Sequence, residues 1–389
     1  MVVNGKHHPY NRKLKVVVIG AGIIGASIAY RLSRREEISV TVLESGKPGN
    51  GASGHSFAWL NAFRKEPDSY HHFNRLSMDI WHRYADELCT DVGLHCRGML
   101  RWENTGEGAK VLNERVKQLQ ERGYPCRPIS VEEMRQLEPG ISPGSVSAVS
   151  LSEIDGIVEP LKVIDACLQR ARDRGAELHS QTPVTGLRLG KKGSKSQCVE
   201  AVNTPNGEIQ CDILVAACGV ATTQLAAMAG VHVPQEYSPG VVIRTNPRPP
   251  LLHSVSVLHT PASEKDESEI HLRQAADGTV IMGEGSQESF HRDDSQEHAD
   301  ALLQRATEYL PSLAGARAIP VPLGHRPMPI DGLPTLGFAP AVPNLYFAVM
   351  HSGVTLAPLV SELVSMEIAD GARVEMLSPY RPERFRLNK

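Results

Sequence analysis

The sequence predicts an α/β chain: a parallel-sheet domain of discontinuous segments, carrying an inserted, mainly antiparallel α+β domain. Three observations predict it. Residues 16–43 read as strand, glycine-rich turn, helix and strand. Far downstream, the apolar run 213–217 reads as another buried strand and leads to Gly219. Between them and the C-terminus, residues 239–283 switch to short runs joined by turns, as in an antiparallel sheet. At 389 residues the chain suits two domains of ~100–200 residues each.

Each element has its own signal. Residues 1–14 are polar and read as a loose arm. Residues 16–19 are short, apolar and β-branched, as a buried parallel strand requires. Residues 22–33 follow as a helix with Ile23, Ile24, Ile28, Ala29 and Leu32 on its apolar side. Residues 40–43 form the next strand and complete a βαβ unit. In residues 69–88, Phe73, Leu76, Ile80, Trp81, Tyr84 and Leu88 recur at helical spacing. A polar helix over 110–122 stops at Gly123. Another covers 131–137, with Ser130 as N-cap and Glu133 completing a capping box. Pro160 opens a helix reaching about residue 174, and Gly175 closes it. The strand 213–217 is followed by a helical stretch to residue 229. Strands are expected at 241–245, 254–259, 269–273 and 279–282, with Asp277-Gly278 as a hairpin turn. A helix near 300–310, a Pro/Gly-rich stretch over 320–343, a strand at 345–349 and a helix at 355–368 end the chain.

Composition narrows the function classes. Hydrophobic residues make up 41% and charged residues 22%, the range of a soluble globular protein. Net charge is −3 and no basic block occurs, which argues against nucleic acid and anionic lipid as partners. The seven cysteines are odd in number and lack a CxxC, so no disulfide framework is expected, and a reducing, cytoplasmic setting is the simpler reading. Sixteen histidines include His7-His8 and His71-His72, yet none has metal-ligand spacing. Lys13 and Lys15 before the apolar run 16–29 imitate a secretory leader, but glycines at 20, 22 and 25 and the strand that follows mark it as structural. No run approaches the ~18–20 apolar residues of a membrane span.

The chemistry begins at Gly20-Ala21-Gly22-Ile23-Ile24-Gly25. The first glycine permits a tight turn, the second lets a pyrophosphate approach the backbone, and the third lets helix and strand pack closely. The helix N-terminus presents free N–H groups to the phosphates. Glu44, with Ser45 beside it, ends the second strand where a carboxylate can bond ribose hydroxyls. This is a Rossmann-type dinucleotide site, and on its own it serves NAD and FAD equally.

Four segments carry a family resemblance. Gly51-Ala52-Ser53-Gly54-His55-Ser56 is a small-residue loop after the ribose acid. Cys211 to Gly219 is a later strand closing on Ala217 and Gly219. Gly324-His325-Arg326-Pro327 leads to Asp331-Gly332 and Gly337. Met350-His351-Ser352-Gly353-Val354-Thr355 turns into a helix. In this order they resemble the FAD-dependent amine and D-amino acid oxidase family, which includes glycine oxidase, sarcosine oxidase and D-amino acid dehydrogenase. The likeness spans nearly the whole chain.

The resemblance implies a Rossmann-type FAD-binding domain from residues 1–90, 145–235 and 322–389, and a substrate domain from 91–144 and 236–321. It implies oxidation of a C–N bond in a small amine or amino acid, by hydride transfer to flavin N5, giving an imine that hydrolyses. Oxygen or another acceptor would reoxidise the flavin. The turn Ser352-Gly353-Val354-Thr355 would aim a helix N-terminus at the flavin. Val184 would pass the adenine, or simply sit on an edge strand. Arg326 would bind a substrate carboxylate through its guanidinium fork, or brace a loop between domains. His351 would orient the substrate or take an ammonium proton, or cap the turn. His271 and Arg273 would share one strand face, as substrate contacts or as a solvated face. Two departures stand out. Thr355 occupies the place of the substrate-binding lysine of sarcosine oxidases, and no cysteine follows Cys218 to tether a flavin. FAD is therefore expected to be non-covalent, with His55 the one candidate for attachment. A flavin monooxygenase, another flavin dehydrogenase, or an electron-transferring subunit of a larger complex remain alternatives on the same scaffold.

Overall fold

The computed structural model describes residues 12–192, 196–262, 268–285 and 292–386. Most of the expected N-terminal arm, with His7-His8, lies outside them. Its described end is anchored, because Arg12 pairs with Asp212 at 2.8 Å and Leu14 already begins a strand.

The α/β architecture is as the sequence predicts. A six-stranded sheet runs Thr335–Ala339, Val342–Val349, Ile213–Ala216, Leu14–Ile19, Ile38–Leu43, Glu177–His179. Every pairing is parallel except the antiparallel edge pair, Thr335–Ala339 with Val342–Val349. Val16, Val17 and Val18 are buried on both faces, which is why this strand reads as a continuous apolar run. Helix Ile23–Leu32 packs between helices Pro160–Arg172 and Gly353–Asp370. Its Ile28, Ala29 and Leu32 are wholly excluded from solvent. Helix Asp68–Leu88 then locks the last helix: Ser77 Oγ and Trp81 Nε1 both donate to the Thr355 carbonyl, at 2.7 and 3.1 Å.

An eight-stranded sheet forms the second layer, in the order Ala318–Pro320, Ile243–Thr245, Val280–Glu284, Ile270–Gln274, Val257–His259, Met99–Glu103, Ala148–Ser152, Cys126–Pro128. Strand periodicity divides its residues between two faces. The cross-strand row Leu151, Leu100, Leu258, Leu272, Met282 and Ile243 is buried in a core shared with helix Gln296–Tyr309. One residue along, the row Arg101, His259, His271 and Gly283 faces the other way. Ala148–Ser152 pairs with Met99–Glu103 and so lies in this sheet, past the boundary expected at residue 145.

Other differences have physical reasons. The helix expected at 110–122 spans Gly106–Glu121, because the Thr105 hydroxyl caps it from Gly108 N at 3.0 Å. Ser130 caps Val131–Leu137 as expected, but the Glu133 carboxylate turns to Arg127, 2.6 Å away, so the capping box is half made. The Pro/Gly-rich stretch 320–343 contains strands Gly324–Pro329 and Thr335–Ala339. Pro327 and Pro329 of the first are tolerated because that strand lies in a two-stranded ribbon with Gln235–Gly240. A three-stranded sheet of Gly186–Lys192, Ser196–Thr204 and Gly207–Gln210 was not anticipated from the sequence. The Asp277-Gly278 turn is present, with Gly278 at φ +85°. All seven cysteines are free. Among the described residues no cluster of metal-ligating side chains occurs, and no helix is long and apolar enough to cross a membrane.

Candidate active site

The two sheets enclose a cavity of about 1050 Å³, at the top of the ~300–1,000 Å³ range of small-molecule sites. One end is the first glycine turn. Gly20 has φ +102°, and a Cβ there would lie 2.5 Å from the Ala217 carbonyl oxygen. A Cβ at Gly25 would lie 1.9 Å from the Gly20 oxygen, so helix and turn touch backbone to backbone. Gly22 leaves the helix N-terminus open except for Ser53, whose hydroxyl accepts the Ile23 N–H at 3.1 Å. Glu44 is fixed by the backbone N–H groups of Ala21 at 2.9 Å and Gly46 at 2.8 Å. Its neighbour Ser45, the loop residues Ser53, His55 and Ser56, and Val184, Ala217 and Gly219 also line the cavity. These residues fit a dinucleotide: glycines whose missing side chains clear the space, an open helix N-terminus for phosphate, and a held carboxylate for ribose.

The other end is the start of helix Gly353–Asp370. Ser352 takes a left-handed conformation at φ 58°, and Gly353 packs beside Ile24, where a Cβ would meet Ile24 Cγ1 at 3.4 Å, an ordinary contact. Thr355 Oγ1 donates to the Trp59 carbonyl at 3.3 Å and accepts from Asn61 N at 3.4 Å. It therefore holds the Trp59–Leu60 strand against the helix. Val354 lines the cavity beside it.

Three of the four expected substrate residues meet here. Arg326 lies on strand Gly324–Pro329 and donates Nη1 to the Pro239 carbonyl. Its guanidinium occupies the space a side chain at Gly240 would need, 2.6 Å from Cζ to the ideal Cβ. Burial lowers its pKa, and no carboxylate of the described residues pairs with it. His351 touches Ser352 Oγ through Nδ1 at 3.2 Å. Desolvation, Lys65 and Arg326 hold its imidazole well below the usual pKa, so it is neutral at pH 7. His271 is lowered to about 4, by desolvation first and then by Arg326. Its ring meets Phe57 edge-on at 4.5 Å, and Gly283 leaves room for it.

Arg273 is not brought into the cavity. It shares a strand face with His271, as expected, but is 1% exposed and binds Glu159 at 2.8 Å and the Phe57 carbonyl. Ala21, Gly25 and Gly54 shape the walls without lining them, Gly54 by giving its carbonyl to Arg244. Sequence reasoning missed Arg101 and His259, which line the cavity beside His271. Their signal was the alternation Leu100, Arg101, Trp102 and Leu258, His259, in which a polar residue interrupts buried apolar ones.

Comparison with known proteins agrees with this geometry. The model of the family "FAD dependent oxidoreductase" (DAO) matches residues 15–366. Hydrogen cyanide synthase subunit HcnC of Pseudomonas protegens is 25% identical over 95% of this chain and 96% of its own length. Glycine oxidase of Pseudomonas aeruginosa is 27% identical over 95% of this chain and 98% of its own. The crystal structure of glycine oxidase from Geobacillus kaustophilus superposes with a TM-score of 0.80 at 23% identity, covering 95% of this chain and 98% of that one, and so shares the fold. With its glycine cradle, held carboxylate and matching residues 15–366, the chain belongs to the DAO family of FAD-dependent oxidoreductases.

Proposed function

We propose that this protein oxidises a carbon–nitrogen bond in a small amine or amino acid, releasing an imine that water hydrolyses. Arg326 carries the reading. It is a cavity-lining guanidinium without a carboxylate partner among the described residues, beside two neutral imidazoles. Such a fork matches a substrate carboxylate, which two parallel charge-assisted bonds would hold in one orientation.

FAD bound in the cavity supplies a two-electron acceptor for the substrate C–H bond. The chain's own groups do the rest. Arg326 fixes the carboxylate and so sets which face of the substrate carbon meets the flavin. His351, being neutral, accepts a hydrogen bond from the amine or holds the proton an ammonium gives up. His271 and Phe57 meet edge-on and line the same cavity. The N-terminus of helix Gly353–Asp370 favours negative charge at the cavity end it faces. Non-covalent FAD is supported by the absence of any cysteine after Cys218 and by His55, whose Nδ1 is engaged at 2.9 Å by the Gly51 carbonyl. We divide the chain into FAD and substrate domains as the resemblance implies, with the boundary moved past Ser152.

Anaerobic mixing of the holoenzyme with a panel of amino acids and secondary amines tests the reading. Bleaching of the flavin by at least one amine is expected. Reduction by NADPH or an alcohol alone would refute it.

A further inference from the structure

The row that crosses the eight-stranded sheet continues beyond His271, and its far end has no role in the reaction above. His259 is 4% exposed, lines the cavity, and neither ring nitrogen has a hydrogen-bond partner among the described residues. Packing alone holds it: the Trp59 ring lies 4.9 Å from it on one side and the His271 ring stacks 5.5 Å away on the other. Trp59 is itself tied by its indole N–H to Asp155 at 2.7 Å. On the next strand, in register with His259, Arg101 is 8% exposed and also lines the cavity. Its Nη2 binds Glu269 at 2.5 Å and Glu103 at 3.0 Å, while its buried Nη1 has no partner among the described residues.

A buried polar group without a partner is costly, most of all when charged, so two of them lining one cavity point to a ligand that completes them. The groups left over here include donors: the Nη1 amino group of Arg101 and one N–H of a neutral imidazole. Burial, His271, Arg101 and Arg64 all push His259 toward the neutral form, and no acid offsets them. A cationic ligand cannot satisfy these donors. The acids beside the pair are already engaged, Glu269 and Glu103 by Arg101 and Glu269 also by Arg64 at 3.5 Å. For these two donors the missing partner is an acceptor, and one that benefits from a guanidinium is a carboxylate.

We propose that Arg101 and His259 form a second anion subsite, so that the substrate is an amine or amino acid bearing two carboxylates, one on Arg326 and one on this pair. The inference rests on the amine-oxidising reading. His271, whose imidazole feels the Arg326 charge, lies between the two subsites. Arg101 and His271 are two strands apart, roughly 10 Å at ~4.8 Å per strand. A dicarboxylate of several carbons spans that sheet face, with its reacting carbon toward the Arg326 end.

Non-reducing carboxylates test it on the oxidised holoenzyme, with the flavin absorbance as reporter. Glutarate and adipate are titrated against butyrate and pentanoate in wild type, His259→Phe and Arg101→Met. Wild type is expected to bind a dicarboxylate at least about tenfold more tightly than its matched monocarboxylate. Both variants should bring that ratio close to one while keeping monocarboxylate binding. His259→Phe breaks no ion pair, and FAD content and circular dichroism verify its fold, so it decides if Arg101→Met does not fold. A ratio near one in wild type, a ratio unchanged in His259→Phe, or no carboxylate binding at all would overturn the subsite. Dicarboxylate preference in a holoenzyme that no amine reduces would leave the subsite standing and refute the amine reading instead.

Discussion

Gly25 and Arg326 show what single residues contribute. A Cβ at Gly25 would sit 1.9 Å from the Gly20 oxygen, inside any tolerated contact. Gly25→Ala must push the helix off its turn, so the purified variant is expected to lose bound FAD, read from its visible spectrum, and to melt several degrees lower. Arg326→Met leaves the Pro239 carbonyl without its donor and a carboxylate without its fork. With a charged hydrogen bond worth about 1.5–3 kcal/mol, the loss of even one should raise KM for a carboxylate substrate roughly 10- to 100-fold, and Arg326→Lys should restore only part of it. An unchanged KM would assign Arg326 to bracing the loop. At this scale the glycines and Glu44 were legible in the sequence, because their spacing follows from backbone sterics. Arg273 was not, because its partner Glu159 is remote in sequence and only the fold brings them together. His259 was hidden for the same reason: strand position alone does not say which face meets a cavity.

Elements matter chiefly through how they are tied together. Asp155, in the turn after strand Ala148–Ser152, is fully buried and accepts from Trp59, Tyr124 and Ser152. Burial is the largest influence on it and raises its pKa from 3.8 to about 6. An acid raised on folding stabilises the fold fully below its unfolded pKa, and that contribution is lost as pH climbs through the folded one. The stability advantage of wild type over Asp155→Asn should therefore shrink by about 2 kcal/mol between pH 4 and pH 6 in denaturant titrations, and a constant difference would contradict the assignment. Thr355→Val removes both hydroxyl bonds to the Trp59–Leu60 strand and its neighbour while conserving shape. A loss of about 1–2 kcal/mol is expected, measurable by chemical unfolding. Long amphipathic helices such as Asp68–Leu88 were readable within a residue because their periodicity is strong. The strands Gln235–Gly240 and Gly324–Pro329 were not, because prolines mask a ribbon that needs few ladder bonds.

For the whole molecule, the cavity lies between two sheets, so cofactor and fold are linked. The glycine turn, Thr182–Val184 and the last helix come from distant parts of the chain and meet only around that space. A ligand that binds only the folded state adds RT ln(1 + [L]/Kd), about 2.7 kcal/mol at a hundredfold excess over Kd. Added FAD is accordingly expected to raise the melting temperature of the apoprotein in a concentration-dependent way. Overall architecture was legible because the order of the four family-like segments constrains the topology. The polar far wall of the cavity was legible only in part, since it depends on which strands become neighbours.

In the proposed reaction the flavin takes electrons from a C–N bond. Its most direct measurement is anaerobic stopped-flow reduction of the holoenzyme by amino acids and secondary amines, with the carbonyl product and released nitrogen quantified after quenching. Saturable bleaching by a carboxylate-bearing amine, with one carbonyl and one amine or ammonia formed per flavin reduced, is the expected result. A flavin that every amine leaves oxidised, but that an alcohol or NADPH reduces, would contradict the account.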